Sequence, residues 1–447
     1  MELLEQRNAS AEWNRVLSRL EVCNPVLARH LSQWQQTSLA DYADYLTHAG
    51  LQLVPPGPTG EVCERVAEAA QASSDGVKGL AEQLQQNPVV FSAHHTAPVC
   101  HPIAWQILLV LAAARSTRQV VPVLSTDWIP MDNLFYPRGL VVPAGGKQHF
   151  INLFPKSCRK KLVAEMAPFD VAAVQSALDA TVKLRQACEL SPAEHARWCE
   201  LLENVFASEP VLSQPTYSRQ CSQINQLICQ RLLPHKRFAF FNISEIARPL
   251  LVQAIAGENV LSHVLFHPVL RTDVIRALNG TSGCWDLARH QGSLFFWAVR
   301  DGKMRPFFHL HDNCLEGEGV VLQLTPENVI AELEAGRIIP GMFLTFICLM
   351  FVNRLLCIGG MRQIAYNHAV REALVPLLAR YDKVLSDQLA DFPVEFFCAG
   401  LYASCHGQGR PRSLLDDLQS PKTCIPDGSK PLRRAVMDAA AELLQLS

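Results

Sequence analysis

Apolar residues recur over the first 50 positions at the spacing of one helix face, as at Leu17, Leu20, Val26, Leu27 and Leu31. Val54-Pro55-Pro56-Gly57-Pro58 interrupts the pattern, and helical spacing resumes from Gly60 to Gln86 in a stretch rich in Ala, Glu and Gln. Residues 1–86 therefore read as a helical N-terminal segment packed on a later core. The texture then changes. Pro88-Val89-Val90-Phe91-Ser92-Ala93 is a short β-branched run, followed by a polar loop with His94, His95, Thr96 and Pro98. Pro102 to Arg115 has the continuous apolar character of a buried helix, and Val120-Val121-Pro122-Val123-Leu124 reads as a second buried strand ending at Ser125-Thr126-Asp127. Strand, loop, helix and strand in that order predict a βαβ unit, hence a parallel sheet whose ligands sit at the strand C-termini. Both polar loops fall at that edge.

Beyond this first part of the core (87–155), residues 156–233 read as a helical insertion broken at Pro192 and Pro215. A strand returns at Arg237 to Ile243, opening the second part of the core (234–400). Leu294–Val299 and Met304–Leu310 bracket Asp301-Gly302, a hairpin signal. Thr325-Pro326 marks a helix start, with a Thr cap and Pro at the first position. A buried run from Leu344 to Leu356 leads into Cys357-Ile358-Gly359-Gly360, and a helix is expected from Met361 toward Leu389. The rest (401–447) reads as a looser tail with Gly407, Gly409, Pro411 and Pro421 before a terminal Ala-rich helix. The fold class predicted is α/β, a parallel-sheet core with helical insertions.

Composition narrows the function. A 49% hydrophobic, 18% charged chain of 447 residues has ample core and is neither disordered nor collagen-like. With 40 basic against 42 acidic residues it has no basic field to neutralise a phosphate backbone, which argues against a nucleic-acid partner. The opening Met-Glu-Leu-Leu-Glu-Gln-Arg-Asn lacks a signal-peptide pattern, and the longest apolar run, Gly341 to Val352, is well short of the roughly 20 residues that cross a bilayer. No membrane partner and a cytoplasmic location are expected. The 15 cysteines include no CxxC pair, so most read as buried small hydrophobes in a reducing compartment.

Three places carry candidate chemistry. Gly359-Gly360 before a helix permits close backbone approach and presents free N–H groups to an anion, although a structural turn explains it too. Arg362 and Tyr366 are four apart and can share one helix face near it. Ser92, His94, His95 and Thr96 follow the first strand, as ligand contacts or as a loop. Metal ligation by His94, His95 and His101 is the sharper alternative, but no acidic partner stands at a familiar offset. Ser125, Thr126 and Asp127 follow the second strand, where a carboxylate could act as general base or cap a helix. His309 and His311 alternate onto one strand face beside Asp312, a metal pair or a solvated strand end.

Taken in order, these segments resemble the cysteine-adding enzyme of bacillithiol biosynthesis. That family's strand with a Thr-Gly-Gln-Gln loop and Gly-Pro-Leu-Tyr helix is mirrored by Val90 to His95 and His101-Pro102-Ile103-Ala104-Trp105. Its Val-Val-Pro-Val-Phe-Trp strand is mirrored by Val120 to Asp127, and its Asp-Gly-x-x-Arg hairpin by Asp301 to Arg305. Its Ile-Gly-Gly-x-x-Glu-Ile-Ala-Tyr motif matches Ile358 to Tyr366, with Gln363 in the place of Glu. The resemblance spans roughly Pro88 to Leu389 and lacks the family's long C-terminal coiled coil. It implies a Rossmann-like core and amide formation between a cysteine carboxyl group and an amino-sugar conjugate. Ala93, His94 and His95 replace the first loop's Gly and Gln, and the second loop keeps only Asp127 of its acidic and His residues. Changed edges on a kept scaffold imply a different substrate, in a specialised natural-product pathway.

The expected activity is thus that of a ligase-type enzyme joining an amino acid, cysteine among the candidates, to an amine-bearing small molecule. Asp127 is the expected general base and His94 or His95 the donor to an oxyanion, with Ser92, Thr96, Ser125, Thr126, Gly359, Gly360, Arg362 and Tyr366 binding substrate. ATP or a pre-activated donor would supply the activation; no Walker loop decides between them, no metal is expected, and a homodimer is left open. The alternatives are a non-catalytic metabolite- or partner-binding descendant and a metal-dependent hydrolase using His94, His95 or the His309–His311 pair.

Overall fold

The computed structural model describes residues 2–53, 56–72, 77–116, 119–145, 147–394, 398–401, 413–419 and 427–433. The expected tail glycines and prolines and the terminal helix lie outside these.

The N-terminal segment is helical as its periodicity predicts: Glu2–Cys23, Pro25–Trp34, Leu39–Thr47, Gly60–Gln71 and Leu80–Gln86. Starts are fixed by side-chain caps. Asn24 accepts from the Leu27 N–H at 3.1 Å with Pro25 at the first helical position, and Ser38 and Thr59 cap the third and fourth helices. Leu20, Leu27 and Leu31 are fully buried on the face turned to the core. Asn24 also donates from Nδ2 to the carbonyl of Met361 at 2.8 Å, tying this segment to the helix that follows the Gly-Gly pair.

The core is a four-stranded parallel sheet. Its strands are β1 (Val89–His95), β2 (Val120–Thr126), β3 (Arg237–Asn242) and β4 (Leu356–Ile358), in the order β4-β1-β2-β3. Helix α1 (Pro102–Ala112) joins β1 to β2, the βαβ unit read from the sequence. Helix α2 (Ile243–Ala256) follows β3, and helix α3 (Met361–Leu378) follows β4. A second helix, Lys383–Ala390, restarts at the Asp382 cap where one long helix was expected. From β1 the chain builds outward through β2 and β3, then returns to place β4 on β1's other side. The strand order therefore reverses between β1 and β4, and a crevice opens outside their C-terminal ends.

Residues 156–233 are mainly helical, with Pro192 at the first position of Pro192–Leu201. The flanking hairpin Gly139–Ala144/Lys147–Asn152 was not foreseen. The Asp301-Gly302 turn has φ of 53° and 69°, the left-handed pair a two-residue hairpin turn requires. Its strands, Phe296–Arg300 and Lys303–His311, belong to a five-stranded antiparallel sheet that closes over the strand ends. The apolar run from Met342 becomes a helix passing into a π-helical stretch, Ile347–Val352, a feature frequent beside functional sites. Among the described residues no single helix is long and apolar enough to cross a membrane; the bent pair Ile243–Ala256 and Val260–Phe266 passes on length and composition alone, turned by 71°.

Candidate functional site

A cavity of about 450 Å³ lies at the C-terminal ends of all four core strands. β1 contributes Ser92, Ala93 and His95, and β2 contributes Thr126; Ile243 follows β3, and Gly360 follows β4. Loop 128–135 and α1 wall one side, and the antiparallel sheet, through Trp297 and Met304, covers it. The volume falls within the roughly 300–1,000 Å³ of small-molecule sites.

A strand irregularity decides which β1 side chains reach it. Phe91 pairs with Val123 and His94 with Ser125, so three steps along β1 match two along β2. One extra residue is accommodated at Ser92-Ala93, and both of these neighbours line the cavity, which strict alternation forbids. Beyond the bulge, His95 faces the cavity and His94 does not.

His94 is 1% exposed, lying beside Phe240 with Nδ1 3.4 Å from the Ser125 hydroxyl and, among the described residues, no partner for Nε2. Burial, with the neighbouring His95 imidazole working in the same direction, lowers its pKa to about 3, so it stays neutral. His95 is different. Its Nδ1 stands 2.6 Å from Asn133 Oδ1, and that oxygen also accepts the Phe135 backbone N–H at 3.5 Å. An atom that accepts from a backbone N–H is the amide oxygen, so His95 donates from Nδ1 and its lone pair is on Nε2. Burial lowers the His95 pKa, opposed by the Asn133 hydrogen bond. The ring is therefore a neutral base with a fixed tautomer. His101 instead caps α1, accepting from the Ile103 N–H at 3.3 Å, with its pKa lowered by burial to about 4. All three imidazoles gather around the Phe135 ring, at 6.5, 4.8 and 5.3 Å between centroids, an aromatic centre rather than an ionic one.

Asp127 does not line the cavity. Its Oδ1 accepts from the Ser244 N–H at 3.1 Å and its Oδ2 from the Ser244 hydroxyl at 2.5 Å, so it holds the first turn of α2. Burial raises its pKa to about 6, with the Ser244 hydrogen bonds opposing. The helix-cap role that competed with the general base is the one its contacts serve. Thr96 and Ser125 are also behind the wall: the Thr96 hydroxyl donates to Asn242 Oδ1 at 3.2 Å, and Ser125 partners His94.

The first glycine of the Gly-Gly pair serves space rather than turning. Neither glycine has a positive φ. A Cβ on Gly359 would lie 1.7 Å from Oε1 of Gln363, whose side chain folds back over it. Gln363 accepts from Ser92 Oγ at 3.0 Å and donates to the Cys357 carbonyl at 3.1 Å, clamping β1, β4 and α3 together. Gly400 packs on Gly360 so closely that a Cβ there would meet Gly360 Cα at 2.6 Å. Gly360, Met361, Arg362, Gln363 and Gly400 consequently put the first turn of α3 on the cavity, with the Gln363 N–H bonded back to the Gly360 carbonyl at 3.0 Å and the positive end of the helix facing the space. Tyr366, one turn on, also lines it, held by burial as a phenol, its ring 5.8 Å from Phe346.

A second cavity, of about 380 Å³, adjoins the first and shares Trp297 and Met342 with it. It is the more polar of the two, lined by the loop 280–284 with Asp286, Arg289 and Gln291. Gly283 on its wall packs against the Tyr366 ring, with φ of 83°.

Of the residues expected from sequence, the cavity gathers Ser92, His95, Thr126, Gly360, Arg362 and Tyr366, and leaves His94, Thr96, Ser125, Asp127 and Gly359 outside. Asn133, Gly400 and the aromatic wall were given no site role, and Gln363 was noted only as standing in the place of a Glu; His95 and Asn133, 38 residues apart, meet only through the fold. His309 and His311 stand stacked on an exposed face, 6.2 Å apart between rings. Among the described residues no group of three or more His, Cys, Asp or Glu converges on a metal position. No family model matches the chain, and no curated protein matches it.

Proposed function

We propose that this chain is an enzyme that forms an amide between an amino acid activated at its carboxyl carbon and an amine-bearing small molecule. The observation that carries the reading is the pair of adjoining cavities separated by Trp297 and Met342. A condensation needs two ligands held with their reacting atoms in contact, whereas hydrolysis needs one ligand and water. The order of motifs shared with the cysteine-adding enzyme supports the same chemistry, and the crevice at the strand-order reversal supports a ligand there.

In this reading the acid occupies the larger cavity with its carboxyl carbon near the first turn of α3. The acceptor amine reaches across the partition from the polar cavity. His95 Nε2 takes a proton from the amine as its nitrogen attacks, the C–N bond forms, and the leaving group departs with the electron pair. Negative charge developing on the carbonyl oxygen is met by the positive N-terminal end of α3 and by Arg362 nearby. The donor's activation, from ATP or before arrival, makes the leaving group. Asp127 supports the site by holding α2.

Thermal-shift screening with amino acids, amines, nucleotides and acyl donors, followed by mass analysis of stabilising pairs, tests this. A product weighing acid plus amine less water is expected. Stabilising ligands that yield no product in any combination would make the site a binding site only.

A further inference from the structure

We infer that the acid held in the larger cavity carries an aromatic or branched apolar body rather than a small polar side chain. This rests on reading that cavity as the donor site and names the class of donor. Its polar groups are grouped on the strand ends and on α3's first turn: Ser92, His95, Thr126, Gly360, Arg362 and Gln363. The remaining walls are mainly apolar; Asn133, bonded to His95, Thr345, bonded to the Gly341 carbonyl, and the Tyr366 phenol are the exceptions. Ile103 and Ile107, one turn apart on α1, face it with Trp128, Trp297 and Phe346. Water placed against such walls lacks hydrogen-bond partners, so an apolar body gains by displacing it. A small hydroxyl or thiol side chain would leave most of the volume unfilled.

Two further observations point the same way. Leu134 is 56% exposed and Met342 44% exposed, yet both stand on the cavity. The fold gains little from apolar side chains in that position, and a bound apolar body would cover them. Charge supplies the head group: the described lining includes Arg362 and no Asp or Glu. A carboxylate or its activated form is therefore matched at one end and an apolar body at the other. A thiol-bearing amino acid fits the head and not the walls.

Calorimetric titration of the full chain with L-phenylalanine, L-leucine, 3-phenylpropanoate, L-cysteine and L-serine tests this. The first three should bind at least about tenfold tighter than the last two, the discrimination one or more buried methylenes give. Leu134→Ala, at an exposed position that leaves folding untouched, should weaken phenylalanine several-fold and leave serine unchanged. Arg362→Gln should weaken all five alike. Cysteine or serine binding as tightly as phenylalanine overturns the inference, as does binding of none of the five. Amide formation is scored separately: apolar acids that bind without reacting remove the ligase reading and leave this one, whereas amide made preferentially from cysteine does the reverse.

Discussion

His95 and Asn133 do at residue scale what a positioned base requires. The Phe135 N–H fixes the Asn133 oxygen, the oxygen fixes the imidazole proton on Nδ1, and Nε2 is left basic. His95→Gln should lower turnover about 100-fold or more, the usual weight of general-base catalysis, without moving the melting temperature. Because burial holds the His95 pKa below the ordinary imidazole value, the acid limb of the rate profile should fall below about 6.5. Asp127 gives the complementary prediction. Its folded pKa of about 6 lies above the ordinary aspartate value of 3.8, so its protonated form favours the folded state. The stability it contributes is complete below 3.8 and lost as pH rises through about 6. Asp127→Asn should flatten the melting temperature over that window and leave turnover near wild type. The sequence made both histidines and the aspartate visible. It could not tell His94 from His95, because the bulge at Ser92-Ala93 that turns one inward arises from pairing with β2.

Close packing at the Gly-Gly junction governs the elements. Gly359 lies under Gln363, and Gly400 against the Gly360 backbone, so α3 keeps its place on the cavity only while positions 359 and 400 lack side chains. Gly359→Ala should destabilise the chain by about 1–3 kcal/mol, the range for overpacking a tight site, as urea denaturation would measure. The helix after the pair was legible from its periodicity, and the Thr325-Pro326 start and the Asp301-Gly302 turn from local chemistry. The reason for the glycines was not. It lies, for Gly359, in a side chain four residues on and, for Gly400, in a backbone forty residues earlier, neither of which constrains local pattern. The 139–152 hairpin escaped for a similar reason, since its outer strand is largely exposed and its pairing is what makes it a strand.

At the scale of the molecule, the βαβ unit and the strand at Arg237 gave the parallel core because buried strands announce themselves as apolar runs, whereas the three-residue β4 read only as the end of a buried run. The walls of the cavity did not announce themselves. Trp128, Leu134, Trp297 and Met342 come from three parts of the chain and look like ordinary core or loop residues until the antiparallel sheet folds over the strand ends. Trp297 then stands between the two cavities. Trp297→Ala should open that partition to water and shift the products of a reacting pair from amide toward free acid, read as the ratio of the two by mass.

The central claim is that His95 serves amide formation between ligands in adjoining cavities, and one comparison addresses it. Single-turnover amide formation would be followed for the wild type and His95→Gln with the same activated acid and amine, after melting curves show equal folding. The account predicts a condensation product from the wild type and a rate about 100-fold lower for the variant. Equal rates in the two proteins, or no condensation by the wild type with any pair that it binds, would contradict it.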